Sequence, residues 1–285
     1  MKSGPRFLVA LTAAAALAGC SAIRIAYDNA DHFLRWRLGS YLDLRGEEQR
    51  ELYRSIDAFL VWHRAQALPR YAALSEEAAR RLDDGLSRED LNWGYDALMA
   101  QARESLRAAA TQIAPVLDRM SAEQVAYLEK RLAEDDRKFA RELRGSEAER
   151  RKRRAKRMQE QLEEWVGGLT QAQVERVRLY AERAPLTDEF RGRDRKRMQA
   201  ELLGMLRRHE AKKRLPEFAA HWQQGREPAH TALNEAWRRE FDAMLLDLDR
   251  TLTPAQRSRA VATLRRYAQD FAVLASRADP KTRTQ

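Results

Sequence analysis

The sequence contains a single cysteine, few glycines and prolines, and no long apolar run. Because Cys20 is the only cysteine among 285 residues, no disulfide can form within the chain. The 12 glycines and 8 prolines interrupt the chain rarely, and the alternating β-branched residues typical of strands are absent. The longest largely apolar run, Phe7 to Ala18, has about a dozen residues, whereas a helix that crosses a bilayer needs about 20. These absences exclude a disulfide-stapled scaffold and argue against strands and a permanent membrane-spanning helix.

What is abundant instead is charge, combined with residues that form helices well. Charged residues make up 34% of the chain and hydrophobic residues 44%, a profile typical of long amphipathic helices. We therefore predict an all-α fold, an elongated multi-helix bundle of antiparallel helical hairpins. Residues 20–45 should form the N-terminal segment with the first helix. Residues 46–285 should form a helical domain that could divide into two sub-bundles near 115–145.

The first 20 residues have the pattern of an export signal. Lys2 and Arg6 precede the apolar run, in the order typical of a signal peptide. The next residues, Leu17-Ala18-Gly19-Cys20, resemble the bacterial lipobox, in which cleavage between Gly19 and Cys20 exposes a cysteine that is acylated. The alternative is an ordinary cleavage site followed by a buried cysteine.

The lipobox resemblance implies a cellular location for the protein. It implies that residues 1–19 are removed and that Cys20 carries a diacylglyceryl group and an N-acyl chain such as palmitate, since stable anchoring needs more than one acyl chain. Ser21 after the cysteine favours the outer membrane, by the sorting behaviour of this class. We therefore expect a lipoprotein held to the outer membrane by its lipid and facing the periplasm.

The chain is basic, which bears on its partners. Its formal net charge is +10, and Lys2 and Arg6 supply two of the positive charges, so +8 remains from Cys20 onward. In the periplasm such a chain would meet anionic lipid headgroups, lipopolysaccharide and acidic unfolded segments rather than nucleic acid. The densest cations form a basic patch of Arg151, Lys152, Arg153, Arg154 and Arg157. This patch is either a contact for an anionic surface or a solvated helix face balanced by nearby glutamates, and the sequence favours neither.

Apolar periodicity predicts helices along the chain after Cys20. A first helix is expected from about Ala22 to Leu38. A second should run from Glu47 to Leu68, and Pro69 should restart the chain in a shorter helix that ends near Asp84-Gly85. A long helix should follow from Ser87 to about Met120, with a kink at Pro115.

One pattern is repeated at predicted helix starts: an apolar residue, a hydroxyl residue, two variable residues and a glutamine. The hydroxyl and glutamine positions of its three copies are Ser121 and Gln124, Thr170 and Gln173, and Thr253 and Gln256. Leu44-Arg45-Gly46-Glu47-Glu48-Gln49 is a degraded fourth copy. Each complete copy predicts a capping box, in which the hydroxyl oxygen accepts from the N3 amide and the N3 side chain bonds the cap amide. The repetition favours internal duplication of helical hairpins.

The repeated pattern resembles the Leu-Thr-x-x-Gln motif of the Spy and CpxP family of periplasmic helical proteins, which are chaperones and stress-response regulators. The resemblance implies a helical protein of the export compartment with a chaperone-like role. On capping grounds alone, the motif is structural.

A second signature lies in the first predicted helices. Its residues are Tyr27, Asp28, Trp62, His63, Arg64, Pro69 and Tyr71. This segment resembles the N-terminal signature of an uncharacterised family of bacterial helical lipoproteins. The resemblance implies a location in the cell envelope and assigns no activity to these residues.

The sequence contains no arrangement of residues typical of catalysis. No two of the five histidines have the i, i+4 spacing of paired metal ligands on a helix. Glu227-Pro228-Ala229-His230 matches one Glu-x-x-His element, whereas di-iron bundles need two. A Gly-x-Ser-x-Gly elbow and a phosphate-binding glycine loop are also missing. We therefore predict no metal, no cofactor and no enzymatic activity.

Three functions are compatible with these patterns. The first is a membrane-anchored helical interaction module or chaperone-like module of the envelope, with envelope proteins or unfolded clients as partners. The second is a structural lipoprotein that docks on anionic lipid or lipopolysaccharide. The third is an envelope enzyme, for which carboxylates converging on His63 in a pocket would argue. The oligomeric state is left open.

Overall fold

The computed structural model of the chain describes residues 22–277, and within that range the protein is all-α and contains no strand. The predicted fold class is therefore confirmed. The predicted signal peptide and Cys20 lie outside the described residues. Export and lipidation consequently stay predictions.

The helices are numbered in chain order from α1 to α12. They are α1 (Ala22–Asp28), α2 (Ala30–Leu42), α3 (Gly46–Trp62), α4 (Leu68–Asp84), α5 (Arg88–Leu117), α6 (Ala122–Glu142), α7 (Glu147–Val166), α8 (Gln171–Arg183), α9 (Asp188–Arg207), α10 (Ala211–Ala220), α11 (Pro228–Thr251) and α12 (Pro254–Ser276). A π-helical turn, His63–Ala67, joins α3 to α4. Within residues 22–277, none of these helices is both long enough and apolar enough to span a bilayer.

The first predicted helix is divided in two at Asn29. The side-chain amide of Asn29 donates to Ile25 O over 2.8 Å and so satisfies a carbonyl at the end of α1. The backbone of Asn29, with φ −105° and ψ 7°, leaves the helical region. The helix expected from 22 to 38 is therefore α1 followed by α2, which runs on to Leu42.

The chain passes from α3 into α4 without a break, whereas the sequence predicted a break between Leu68 and Pro69. The predicted end of the following helix, near Asp84-Gly85, agrees with the end of α4 at Asp84. Proline lacks an N–H group, and its ring crowds the carbonyl four residues earlier in a regular α-helix. The π-helical turn precedes it, and Leu68 N donates to His63 O across this wider turn. As a result, α4 begins at Leu68 with Pro69 in its first turn.

The first of two hydrophobic cores is built from α2, α3, α5, α6, α9 and α10. Its buried members include Leu52 of α3, Ala114 of α5 and Leu206 of α9. Because α10 packs along α5, residues 211–220 return to a core that is otherwise formed mainly by the first half of the chain. This core is therefore not one contiguous piece of sequence.

The second core is formed by α7, α8 and α11. Val177 and Tyr180 of α8 pack there with Met244 of α11, and the rings of Trp237 and Phe241 stack with centroids 5.2 Å apart. A further pair of helices, α4 and α12, packs side by side and contacts both the α1 end of the molecule and α7. The two cores leave a cleft between them.

Candidate functional site

The three complete copies of the repeated motif all form capping boxes. At the start of α6, Ser121 Oγ accepts from Gln124 N at 3.3 Å, and Gln124 Oε1 accepts from Ser121 N at 2.9 Å. The copies at Thr170 and Thr253 close the same two bonds at the starts of α8 and α12. Helix capping is therefore one role of the motif.

The glutamines of two copies also bond to each other. Gln173 Nε2 donates to Gln256 Oε1, and Gln256 Nε2 donates to Gln173 Oε1, each over 3.0 Å. The second amide hydrogens reach Thr251 O at 3.0 Å and Gly168 O at 2.9 Å. Both glutamines are buried, and both hydrogens of each amide have partners. This reciprocal pair joins the start of α8 to the start of α12.

The remaining complete copy faces the degraded copy. Gln124 Nε2 donates to Glu48 Oε2 at 2.7 Å. Glu48 is the third residue of α3, the position that glutamine takes in the complete copies, and the cap residue Arg45 makes no side-chain cap bond. The chain thus contains two pairs of facing helix starts, α3 with α6 and α8 with α12.

A cleft of about 1250 Å³ lies between the two cores. Its walls come from α4, α5, α9, α11 and the turn at 222–226, so residues distant in sequence line it together. Its apolar lining includes Trp93, Leu98, Met99, Met198, Trp237 and Phe241. Leu98 is 63% exposed and stands on the α5 wall. The cleft is larger than the roughly 300–1,000 Å³ typical of small-molecule pockets.

Two arginines in the cleft wall have partners within the chain. Arg81 Nη1 donates to Asp90 Oδ1 at 2.6 Å, and its guanidinium carbon lies 4.2 Å from the ring centroid of Trp93. Arg238 donates to the side-chain oxygen of Asn92 at 2.8 Å and lies 3.8 Å from the centroid of the Tyr95 ring. Such stacking covers the faces of the rings while it holds the cations in place. These arginines therefore shape the wall rather than offer free charge.

A buried carboxylate and a buried imidazole lie deeper in the cleft. Asp194 accepts from Arg197 Nε at 2.9 Å and from Arg226 Nε at 2.7 Å. Burial acts to raise the pKa of Asp194, but the two guanidinium groups outweigh it and hold the pKa below its usual value. Burial, assisted by Arg226, lowers the pKa of His230. At pH 7 this part of the cleft therefore holds a neutral imidazole and an ionised, already paired carboxylate.

The structure brings together three residues of the second signature, at the junction of α1, the π-helical turn and α4. Tyr27 Oη and His63 Nδ1 share a hydrogen bond of 3.1 Å. The ring of Tyr71 stands edge-on to His63 with centroids 5.6 Å apart, and Tyr71 Oη shares a 3.0 Å hydrogen bond with Ser105 Oγ. Burial lowers the pKa of His63, which is therefore neutral at pH 7.

The other signature residues surround the same junction. The guanidinium carbon of Arg64 lies 5.8 Å from the ring centroid of Tyr27. Burial raises the pKa of Tyr27, although Arg64 opposes that rise. Trp62 stacks on a phenylalanine of α3, and Asp28 pairs with Arg277 at 2.9 Å. With Pro69 in the adjoining first turn of α4, the signature residues together describe how α1 packs on the rest of the protein.

The basic patch has two parts. Arg151 donates to Ala184 O at 3.1 Å, and Arg154 donates to Ala184 O at 2.7 Å and to Pro185 O at 3.0 Å. These carbonyls follow the C-terminus of α8, where the helix dipole favours cations. The other three cations are exposed: Lys152, Arg153 and Arg157. Two members of the patch therefore hold α7 against the end of α8.

Residues 22–277 contain no group of three or more histidine, cysteine or acidic side chains placed to hold a metal ion. The two members of the Glu-x-x-His match have other partners, because Glu227 pairs with Arg193 at 2.9 Å and His230 packs on Phe190 with centroids 5.8 Å apart. Among the described residues, no carboxylate lines the groove beside His63. The enzyme hypothesis gains no support from this geometry.

Fold and site together define an all-α protein with an apolar cleft between two helical cores. The chain belongs to a family of unknown function (DUF6279), whose model matches residues 40–225. That range contains His63, Arg64 and Tyr71 and the cleft walls on α4, α5 and α9, and it ends before α11. No curated protein matches the chain, and no solved structure does.

Proposed function

We propose that the chain is a periplasm-facing lipoprotein, anchored through Cys20, whose cleft binds apolar segments of other envelope polypeptides in a chaperone-like manner. The observation that carries this proposal is the cleft of about 1250 Å³ between the two cores. The cleft exceeds the usual range of small-molecule pockets and is lined mainly by apolar and aromatic side chains. A polypeptide segment is a ligand of suitable size and chemistry.

The composition of the lining favours a partner of variable sequence. Met99 and Met198 supply flexible, polarisable side chains that adapt to different apolar surfaces. Trp93 and Trp237 supply large contact areas with few rotatable bonds. A groove of this kind accepts the apolar face of an amphipathic helix, a recurring mode of peptide recognition.

Docking on anionic lipid is the second candidate. It rests on the exposed cations Lys152 and Arg157, and on Arg153, which is exposed but donates to Arg144 O at 3.0 Å. We rank it below polypeptide binding because Arg151 and Arg154 are engaged with carbonyls at the end of α8 and are not available to a surface. The two candidates differ in salt dependence, since contacts between exposed charges weaken steeply as salt rises whereas apolar contacts do not.

The cleft proposal is tested by titrating the purified chain into a labelled, permanently unfolded test polypeptide and following its fluorescence anisotropy. Leu98→Glu places a carboxylate on the cleft wall. A bound apolar segment would desolvate this carboxylate, so we expect binding to weaken about tenfold or more. The matched control is Tyr127→Glu, which changes an exposed apolar residue of α6 outside the cleft lining.

The control should bind as the wild type does, and its helical content should match that of Leu98→Glu by circular dichroism. If both variants bind the polypeptide equally well, the cleft is not the binding site. If binding disappears between low and high salt while Leu98→Glu has no effect, lipid or acidic-surface docking through the exposed cations becomes the better account.

A further inference from the structure

A second apolar surface lies on α1 and α2, the first described helices after Cys20. Three large apolar residues are exposed there: Ile25 at 54%, Phe33 at 59% and Trp36 at 65%. The rings of Phe33 and Trp36 lie with centroids 6.0 Å apart, on one side of α2. We call Ile25, Phe33 and Trp36 the anchor-end face.

The anchor-end face continues into an apolar groove. Phe33 lines this groove, which has a volume of about 490 Å³, together with Leu34 of α2 and Phe59 and Leu60 of α3. The groove lining is mostly apolar, and its polar members are Tyr27, Asn29 and His63. Exposed aromatic rings and an apolar groove therefore form one continuous surface.

The charged residues around this surface are paired within the protein. Arg24 Nε donates to Asp270 Oδ1 at 2.6 Å, and Arg35 Nη2 donates to Asp57 Oδ1 at 2.6 Å. Asp28 pairs with Arg277 on α12's C-terminal side. The face thus presents apolar area more than charge, which suits a lipid surface better than a charged protein partner.

The position of Cys20 identifies the occupant of this face. Only Ser21 lies between Cys20 and Ala22 in the sequence, so their Cα atoms can be at most about 7 Å apart. Tryptophan and phenylalanine side chains favour the boundary between the headgroups and the acyl chains of a bilayer. We infer that α1 and α2 lie in the interface of the membrane that holds the lipid on Cys20, with the anchor-end face inserted among the lipids. This inference rests on the anchoring part of the proposed function and not on the cleft.

Such a contact sets the orientation of the whole protein. Ion pairs fix α1 to α12, and the Tyr27 to His63 hydrogen bond fixes it to the π-helical turn. From that turn, α4 extends toward Leu82 in the cleft wall, a distance of about 20 Å at 1.5 Å per residue. The cleft lining shares no residue with the anchor-end face, so insertion of that face would leave the cleft lining uncovered by this contact.

The inference is tested with site-directed spin labels in the full chain. Acylation consumes Cys20, so Phe33→Cys introduces the single free thiol of the lipoprotein. The labelled chain is reconstituted into vesicles of phosphatidylethanolamine and phosphatidylglycerol at a 3:1 ratio. We expect the label at position 33 to gain access to oxygen and to lose access to a water-soluble nickel chelate. The matched control, Leu98→Cys, should stay accessible to the chelate.

A mass spectrum of the N-terminal peptide reports acylation independently of the label. If Cys20 is acylated but the label at position 33 is as accessible to the nickel chelate as the label at position 98, the inference is wrong, while lipid anchoring is still supported. If Cys20 is not acylated, anchoring and this inference both fail, while polypeptide binding by the cleft is still decided by the Leu98→Glu titration.

A second experiment uses a variant that cannot be acylated but still has the anchor-end face. Cys20→Ser should retain weak, salt-insensitive flotation with the same vesicles. Adding Phe33→Ser and Trp36→Ser should lower that residual binding about tenfold or more, since two inserted aromatic rings lose their transfer free energy. Equal flotation of the two chains would overturn the inference. Because both residues are exposed, these substitutions leave the cores intact.

Discussion

The two pairs of facing helix starts use the same motif and differ in how completely they are built. At α8 and α12, Gln173 and Gln256 are buried and bond to each other in both directions. At α3 and α6, a single bond joins Gln124 to Glu48, and both residues are half-buried. The comparison teaches that a capping box acts locally by itself and becomes a tertiary joint only where a second complete copy faces it.

The two pairs of facing helix starts also lie in different surroundings, so different interactions stabilise them. The α3 and α6 starts lie against the larger apolar core, to which Leu44 and Met120 contribute directly. The second core is smaller, and the glutamine pair joins α8, which contributes to it, to α12, which does not. Substitutions at equivalent positions of the two pairs should therefore have unequal effects.

The largest loss of folding stability is expected for Gln256→Glu. This substitution replaces the glutamine–glutamine pair by a glutamine–glutamate pair like that of Gln124 and Glu48. The introduced carboxylate cannot donate to Gln173 Oε1 or to Gly168 O, and it is buried, so we expect a loss of about 3–4 kcal/mol in the free energy of unfolding at pH 7. Burial raises the pKa of such a carboxyl group, so part of the loss should be recovered as the pH falls through that raised pKa. Urea unfolding at pH 7 and pH 5 measures both effects, and a small, pH-independent loss would contradict the account.

The next effect compares Gln173→Ala with Gln124→Ala. Removing Gln173 leaves one buried amide hydrogen of Gln256 without an acceptor, while the other still reaches Gly168 O, and we expect a cost of about 2–3 kcal/mol. Removing Gln124 frees a half-exposed carboxylate that water can reach, so we expect about 1 kcal/mol. Shifts in the urea midpoint measure both, and equal shifts would show that the facing arrangement adds nothing to local capping.

A repair of the degraded copy should stabilise the protein by a smaller amount. Arg45 has the extended backbone of a cap residue, with φ −135° and ψ 157°, but its side chain makes no cap bond. Arg45→Thr together with Glu48→Gln restores the residue types of the complete motif, although Gly46 between them keeps a left-handed φ of +56° that the complete copies lack, so we expect a gain of only about 0.5 kcal/mol. Arg45→Ala with Glu48→Gln is the control, because it lacks the cap oxygen and should give no gain.

The smallest expected change in stability concerns two histidines, the half-buried His63 and the buried His230. The pKa values of His63 and His230 are lowered in the folded protein, mainly by burial. The unfolded chain therefore takes up protons first, and folding stability falls as the pH drops below about 6.5, the ordinary pKa of histidine. His63→Gln and His230→Gln should each reduce this acid loss, as measured by unfolding at pH 7 and pH 5. If both variants lose as much folding stability between pH 7 and pH 5 as the wild type does, protonation of carboxylates causes that loss instead.

Local patterns predicted the helical fold and the caps because both depend on residues close in sequence. Ser87, Ser121, Thr170 and Thr253 each close a capping box at the start of a helix. The signature around His63 also proved to be a spatial cluster, since a short stretch and the adjoining helix supply most of it. The helix that ends near Asp84 was predicted, but the π-helical turn that joins α3 to α4 without a break was not, because such a turn has no reliable sequence pattern.

The cleft could not be predicted from the sequence. Its walls depend on how α10 returns to α5 and on where α11 lies relative to α9, and neither follows from local periodicity. The tryptophans that line it, Trp93, Trp222 and Trp237, look like core residues when read one helix at a time. The repeated glutamines carried a signal for their own pairing, since identical caps can satisfy each other, but only long-range packing decides which copies meet.

The central claim is that the cleft holds polypeptide segments in the cell. A photo-crosslinking amino acid placed at Leu98, and in a control strain at Tyr127, tests it most directly in intact cells that produce the full chain. We expect a set of crosslinked polypeptides from position 98 that is absent or much weaker at position 127 and that is reduced by a second substitution in the cleft, Trp237→Glu. Crosslinks of equal yield at both positions, or none at position 98, would contradict the claim.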